Sequence, residues 1–307
     1  MNLDSRDSQG KSGASHLTAT SSPAAAEQRS GKGAFEGTQI LIEANGSPLK
    51  LGFGEVWRYR ELLYFLTWRD IKLRYRQTFL GATWAIIQPL FTMLLFTVFF
   101  GRLVRVPSDN IPYPLFAYAG LLPWTFLANA ILNSANSLVG NTSLITKVYF
   151  PRVIIPAAPV LAGLVDLAVA FVLLIPMLIY YQAGVTWRLL LLPVFIVMTT
   201  LLAFGCGILA AALNVRFRDV RYTLPFLIQL WLFASPVIYP ASIIPLKWQW
   251  LFGLNPLNGI IEGFRSSLFG RPFHWSTITL AFAISILTVI FSASFFSRVE
   301  DSFADVI

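Results

Sequence analysis

The chain has 307 residues, of which 56% are hydrophobic and 12% charged, where a soluble domain carries roughly 25% charged residues. A water-soluble fold of this size has no core large enough to hide that much apolar surface, so the composition excludes an ordinary soluble protein and points to a bilayer. Lys and Arg number 23 against 15 Asp and Glu, a net charge of +8; this suits either nucleic acid or the basic cytoplasmic loops of a membrane protein.

Residues 1–50 are rich in Ser, Ala, Gly and Thr and show no sustained apolar period. Such a segment cannot bury enough surface to offset its ordering entropy, so it is expected to be a disordered cytoplasmic tail. It has no apolar stretch of signal-peptide length. Gly10-Lys11-Ser12 imitates the end of a phosphate-binding loop, but that pattern needs a glycine where Ser5 stands. The chain is therefore expected to bind no nucleotide itself. Cys206 is a single cysteine, which leaves no disulfide framework, and His16 and His274 are too far apart in sequence to make a metal-ligand cluster, so no metal is expected.

From residue 54 to 76 the pattern becomes helical. Tyr59, Leu62, Leu63, Leu66 and Leu73 recur at helix spacing, with Arg58, Glu61, Arg69, Lys72 and Arg76 mostly on the other side. An amphipathic helix in the membrane interface fits this mixture; a soluble helix packed on a partner is the alternative.

Spans of about 20 apolar residues follow. They are expected at about 84–104, 113–138, 153–181, 187–213, 222–239 and 278–296, making an all-α protein of six transmembrane helices. Between the last two, residues 243–268 are apolar but broken by Pro245, Gly253, Pro256, Gly259 and Gly263, which predicts a re-entrant pair of short helices on the extracytoplasmic side. Placing both termini in the cytoplasm puts twelve basic residues on the inner segments, among them Arg74 and Arg298, against six outside. That placement favours the membrane reading, and no nucleic-acid partner is expected.

Five groups of residues carry candidate chemistry. In the loop after the second span, Lys147, Tyr149, Phe150, Pro151 and Arg152 either form a short helix that projects charge and aromatics towards a partner or are an ordinary basic loop. In the loop after the fourth, Arg216, Arg218 and Arg221 alternate with Phe217, Val220 and Tyr222, and Asp219 can pair with one of them; interleaved aromatics suit a surface buried against another protein. Asp166 is the one carboxylate set well inside a span, a candidate transport residue or a hydrogen-bonding partner within the bundle. Glu262 and Arg265, three apart, can pair on a half-helix, fixing its geometry or touching substrate. Phe91, Phe96, Phe99, Trp231, Phe233 and Tyr239 are candidate conduit aromatics, or lipid-facing bulk.

In order along the chain, YRQTFLGATWAIIQPL (75–90), KVYFPR (147–152), NVRFRDVRYTLPFLIQLWLFASPVIYP (214–240) and NPLNGIIEGFR (255–265) together resemble the ABC-2-type permeases that export O-antigen, capsule or teichoic acid. The resemblance covers about 54–296. It implies a transport subunit rather than an enzyme: a homodimer in the bacterial inner membrane, driven by two copies of a separate ATPase that binds ATP and Mg, moving a lipid-linked glycan. Lys147 to Arg152 would then form the coupling helix, beside Tyr59, Leu62, Leu66 and Arg69 of the interfacial helix. Arg216 to Arg221 would be a second cytoplasmic contact, and 245–268 would cap the exit. An ABC exporter of a smaller lipid or drug is a variant of the same class. A membrane glycan-lipid transferase would need a carboxylate or His cluster that the sequence lacks. A secondary carrier would need more intramembrane ionisable groups than Asp166.

Overall fold

A chain in lipid must satisfy every backbone N–H and C=O internally, and these apolar runs do so as helices. The computed structural model describes residues 53–76, 83–148, 150–184 and 186–300, all within one unit spanning Gly46–Ile307; among the described residues there is no strand. The expected tail, residues 1–50, lies outside the described residues.

Helices α1 (Phe53–Arg58) and α2 (Arg60–Arg76) come first. Next is α3 (Trp84–Phe96), which continues into a π-helical segment, Thr97–Leu103. Then follow α4 (Tyr113–Gly140), the six-residue α5 (Thr142–Lys147) and α6 (Ile154–Tyr180). A 3-10 turn, Trp187–Leu191, leads into α7 (Leu192–Arg216), then α8 (Val220–Phe233), α9 (Leu246–Gly253), α10 (Pro256–Phe269) and α11 (Trp275–Val299).

Five segments are long and apolar enough to cross a membrane: Trp84–Leu103, Tyr113–Gly140, Ile154–Tyr180, Trp187–Arg216 and Trp275–Val299. The expected span at 222–239 is shorter than the others. Its helix, α8, has 14 residues, roughly 21 Å of rise against a hydrocarbon layer of about 30 Å. Ser235 and Pro236 follow its end, and residues 234–239 form turns.

Helix α4 is the axis of the bundle. Of its apolar window 83% is buried, against 11% for α3, which rides on the outside. Cross-helix hydrogen bonds fix the register: Tyr118 Oη donates to Ala170 O (2.8 Å), joining α4 to α6, and Asn214 Nδ2 donates to Ala135 O (2.7 Å), joining α7 to α4. The long helices alternate in direction, so Lys147, Arg152 and Arg216 gather at one end of the bundle, the basic end. The α9–α10 segment sits towards the other, where Tyr113 Oη donates to Ile238 O (2.9 Å).

Helix α2 departs from the simple interfacial expectation. Leu66 is buried in a cluster with Phe150, Ile154, Ala158 and Phe296 at the basic end. Two turns on, Arg74 and Tyr75 reach Asp166 near the middle of α6. Helix α2 thus advances alongside α6 into the bundle. Its apolar groups do not share one face either: Tyr64, Phe65 and Leu73 are exposed beside Lys72 and Arg76 while Leu66 faces inward.

Candidate functional site

At the basic end, Lys147 ends α5 and is exposed, but Phe150, expected to project towards a partner, is 5% exposed and packed within the chain. An aromatic ring between Val148 and Val153 gains more from the apolar cluster than from solvent. Tyr149 lies outside the described residues. Pro151 and Arg152 are half-buried, and Arg152 is bonded to Glu300 at the end of α11: its backbone N–H donates to Glu300 Oε1 (3.0 Å), and its guanidinium to the Glu300 carbonyl. Tyr59 and Leu62 pack against the same cluster as Leu66. Arg69 spans from α2 to the α4–α5 junction, donating from Nη1 to Asn141 Oδ1 (2.9 Å) and pairing with Asp70 (3.0 Å).

Arg216, Phe217, Arg218, Asp219, Arg221 and Tyr222 are all exposed in one short connection. Arg216 lies over the Phe217 ring (5.5 Å). Among the described residues the Asp219 carboxylate pairs with none of the arginines, contrary to expectation. At the N-terminus of α8 it sits where a negative charge is favoured without a partner.

At the opposite end the NPLNGIIEGFR segment builds α10. Asn255 caps it, accepting from Leu257 N (3.1 Å), and Pro256 takes the first helical position, where its missing N–H is no loss. The same Asn255 side chain accepts from Trp231 Nε1 (3.1 Å) and donates to Ala234 O (3.0 Å), binding the end of α8 to the start of α10. Gly259 and Gly263 let α10 approach its neighbours: a Cβ on Gly259 would sit 2.4 Å from Thr277 O, and one on Gly263 2.0 Å from the Phe195 ring. Gly270, at φ 67°, closes the helix in the left-handed conformation.

Arg265 is 2% exposed. Its Nη1 lies 3.3 Å from Glu262 Oε1 and donates to Pro236 O (2.6 Å); Nη2 donates to Val237 O (2.8 Å) and Phe116 O (3.3 Å). The guanidinium also stacks on the Phe116 ring at 3.5 Å. Enclosed on every side, Arg265 joins α10, α4 and the turn after α8.

Asp166 accepts from the Arg74 guanidinium and from Tyr75 Oη, both on α2. Burial, reinforced by that hydrogen bond, pushes the Tyr75 phenol above its ordinary pKa, so it remains a donor. These three side chains form one wall of a cavity of about 570 Å³ between α2, α3, α4 and α6. Gln88 of α3 and Thr125, Asn129 and Asn133 of α4 line it, with Trp84 and Phe126. Among the described residues the side chains of Gln88, Thr125, Asn129 and Asn133 make no hydrogen bond, and all four face this space. The sequence carried a signal for them: Thr125, Asn129 and Asn133, four apart, put one polar stripe along a face of a mostly apolar helix.

None of the six candidate conduit aromatics lines this cavity. Phe91, Phe99 and Phe233 are more than half exposed on the outside of the chain. Phe96 packs edge-on against Phe100, Trp231 edge-on against Trp124, and Tyr239 against Phe252.

Long apolar helices around a cavity that is largely apolar but carries a stripe of polar side chains, with a basic cluster at one end, define a multi-pass membrane protein of the transporter class. The chain belongs to the ABC-2 type transporter family, whose model matches residues 61–269. It is 30% identical over 255 residues to the O-antigen export system permease protein RfbA of Myxococcus xanthus, covering 82% of this chain and 97% of that protein. It is 28% identical over 248 residues to RfbA of Klebsiella pneumoniae, covering 80% and 95%. To the polysialic acid transport protein KpsM of Escherichia coli it is 27% identical over 208 residues, 63% of this chain and 76% of that one.

Proposed function

We propose that this chain is the membrane permease subunit of an ATP-driven exporter that moves a lipid-linked polysaccharide of the O-antigen type across the bacterial inner membrane. The observation that carries this reading is the alignment with an O-antigen export permease over 97% of that protein's length. Two copies form the passage, and a separate ATPase subunit docks on the basic end, which faces the cytoplasm together with both termini. The exposed cluster Arg216 to Tyr222, with Lys147 beside it, supplies the docking surface, since its charge and aromatic content suit burial against protein. In this reading α8 and the turn after it complete a sixth crossing, and α9 with α10 is a re-entrant pair at the outer end.

Deleting the gene is the direct test. Polymer is expected to accumulate inside the cell and to disappear from its surface, with recovery when the intact chain is supplied. Undiminished surface polymer in the deletion strain overturns the proposal.

A further inference from the structure

We infer that the cavity between α2, α3, α4 and α6 is a binding subsite for uncharged sugar units, and that it discriminates against acidic ones. The inference rests on the export reading above and assigns to it a place and a selectivity.

Three observations converge. First, Gln88, Thr125, Asn129 and Asn133 present amides and a hydroxyl that make no hydrogen bond to the described residues, in a space of about 570 Å³, within the roughly 300–1,000 Å³ usual for small-molecule sites. Gln88 and Asn133 are exposed and Thr125 and Asn129 half-buried, so all four are open to water or a ligand. A carboxamide both donates and accepts, and so does each sugar hydroxyl; the match is in kind.

Second, the charge in the cavity cancels locally. Arg74 is bound to Asp166, and Tyr75 donates to the same carboxylate, so no net positive field is offered to an anion. An acidic sugar would bring an unmatched negative charge towards the Asp166 carboxylate, a like charge, and that costs affinity. A neutral ring brings none.

Third, Trp84 and Phe126 put apolar ring surface beside the amides. A pyranose has the same two-sided character, with C–H bonds on its faces and hydroxyls at its rim. Gly163 lets the Phe126 ring approach α6, since a Cβ there would stand 3.1 Å from that ring.

The test uses the full chain in nanodiscs, with saturation-transfer NMR titrations of two probe sets: neutral trisaccharides of glucose, mannose, galactose and rhamnose, and trisialic acid. At least one neutral probe is expected to bind saturably, with trisialic acid about tenfold weaker or more. The paired variant N129A/N133A is expected to weaken the neutral probe about tenfold, the size of a hydrogen-bond loss, at unchanged thermal midpoint. D166N removes the anion and is expected to raise trisialic acid affinity several-fold, a gain that mere structural damage does not produce. Three results each overturn the inference: no neutral probe binds, trisialic acid binds as tightly as the best of them, or N129A/N133A leaves neutral binding unchanged. If gene deletion abolishes surface polymer while no neutral probe binds, the subsite alone falls; if surface polymer survives deletion, the export reading falls with it.

Discussion

Arg152 and Glu300, 148 residues apart, are joined twice, once through the Arg152 backbone N–H and once through its guanidinium. The pair fastens the loop after α5 to the end of α11, so a push on that loop is delivered to the last long helix. E300A is expected to lower thermal stability by about 1–2 kcal/mol, less than a fully buried charged hydrogen bond would because both side chains are partly exposed. If the loop transmits the force of ATP hydrolysis, the same variant slows export more than it slows hydrolysis, read by comparing the two rates in proteoliposomes.

Gly259 and Gly263 differ from Gly253 in what surrounds them. A methyl group on either of the first two strikes Thr277 O or the Phe195 ring, while on Gly253 it meets only Leu280 at 3.6 Å. G259A and G263A are expected to lose about 1–3 kcal/mol from overpacking, and G253A almost nothing. Thermal midpoints in detergent rank the three.

Arg265 makes its contacts through a planar fork and an aromatic stack, neither of which a lysine reproduces. R265K is therefore expected to be destabilising by about 2–4 kcal/mol despite the retained charge, because carbonyls of Pro236, Val237 and Phe116 are left short of donors. Proteolysis of the 234–245 connection, compared with the unaltered chain, reports the loosening.

Reversing charge on the exposed connection between α7 and α8 separates docking from folding. R216E/R218E/R221E is expected to leave the thermal midpoint within about 0.5 kcal/mol, as surface changes usually do. It is also expected to abolish co-purification of the ATPase subunit. Full recovery of that subunit with the triple variant removes the docking role.

The long helices were legible because length and apolarity are local properties: about 20 uninterrupted residues declare a crossing without reference to the rest of the chain. The break at Pro256 was legible, whereas Gly259 and Gly263, expected to interrupt the segment, lie inside α10 because they serve close helix packing. Partnerships across the sequence were not legible. Nothing local marks Arg74 as the mate of Asp166, 92 residues away, and so α2 reads as a helix lying flat when its last turn runs alongside α6. Phe150 was misjudged for a related reason: a ring in a basic loop looks exposed until the cluster around Ile154 and Phe296 is assembled. The cavity stripe escaped because Thr125, Asn129 and Asn133 leave the helix apolar enough to cross a membrane, although their spacing was there to see.

Asn255 holds the last turn of α8 and the first turn of α10 with one carboxamide. Those two helices therefore cannot swing independently while the side chain keeps its bonds. A tilt imposed on α8 at Arg221 is handed on to the buried α10, as a crank turns its shaft, and the two ends of the molecule share one moving part.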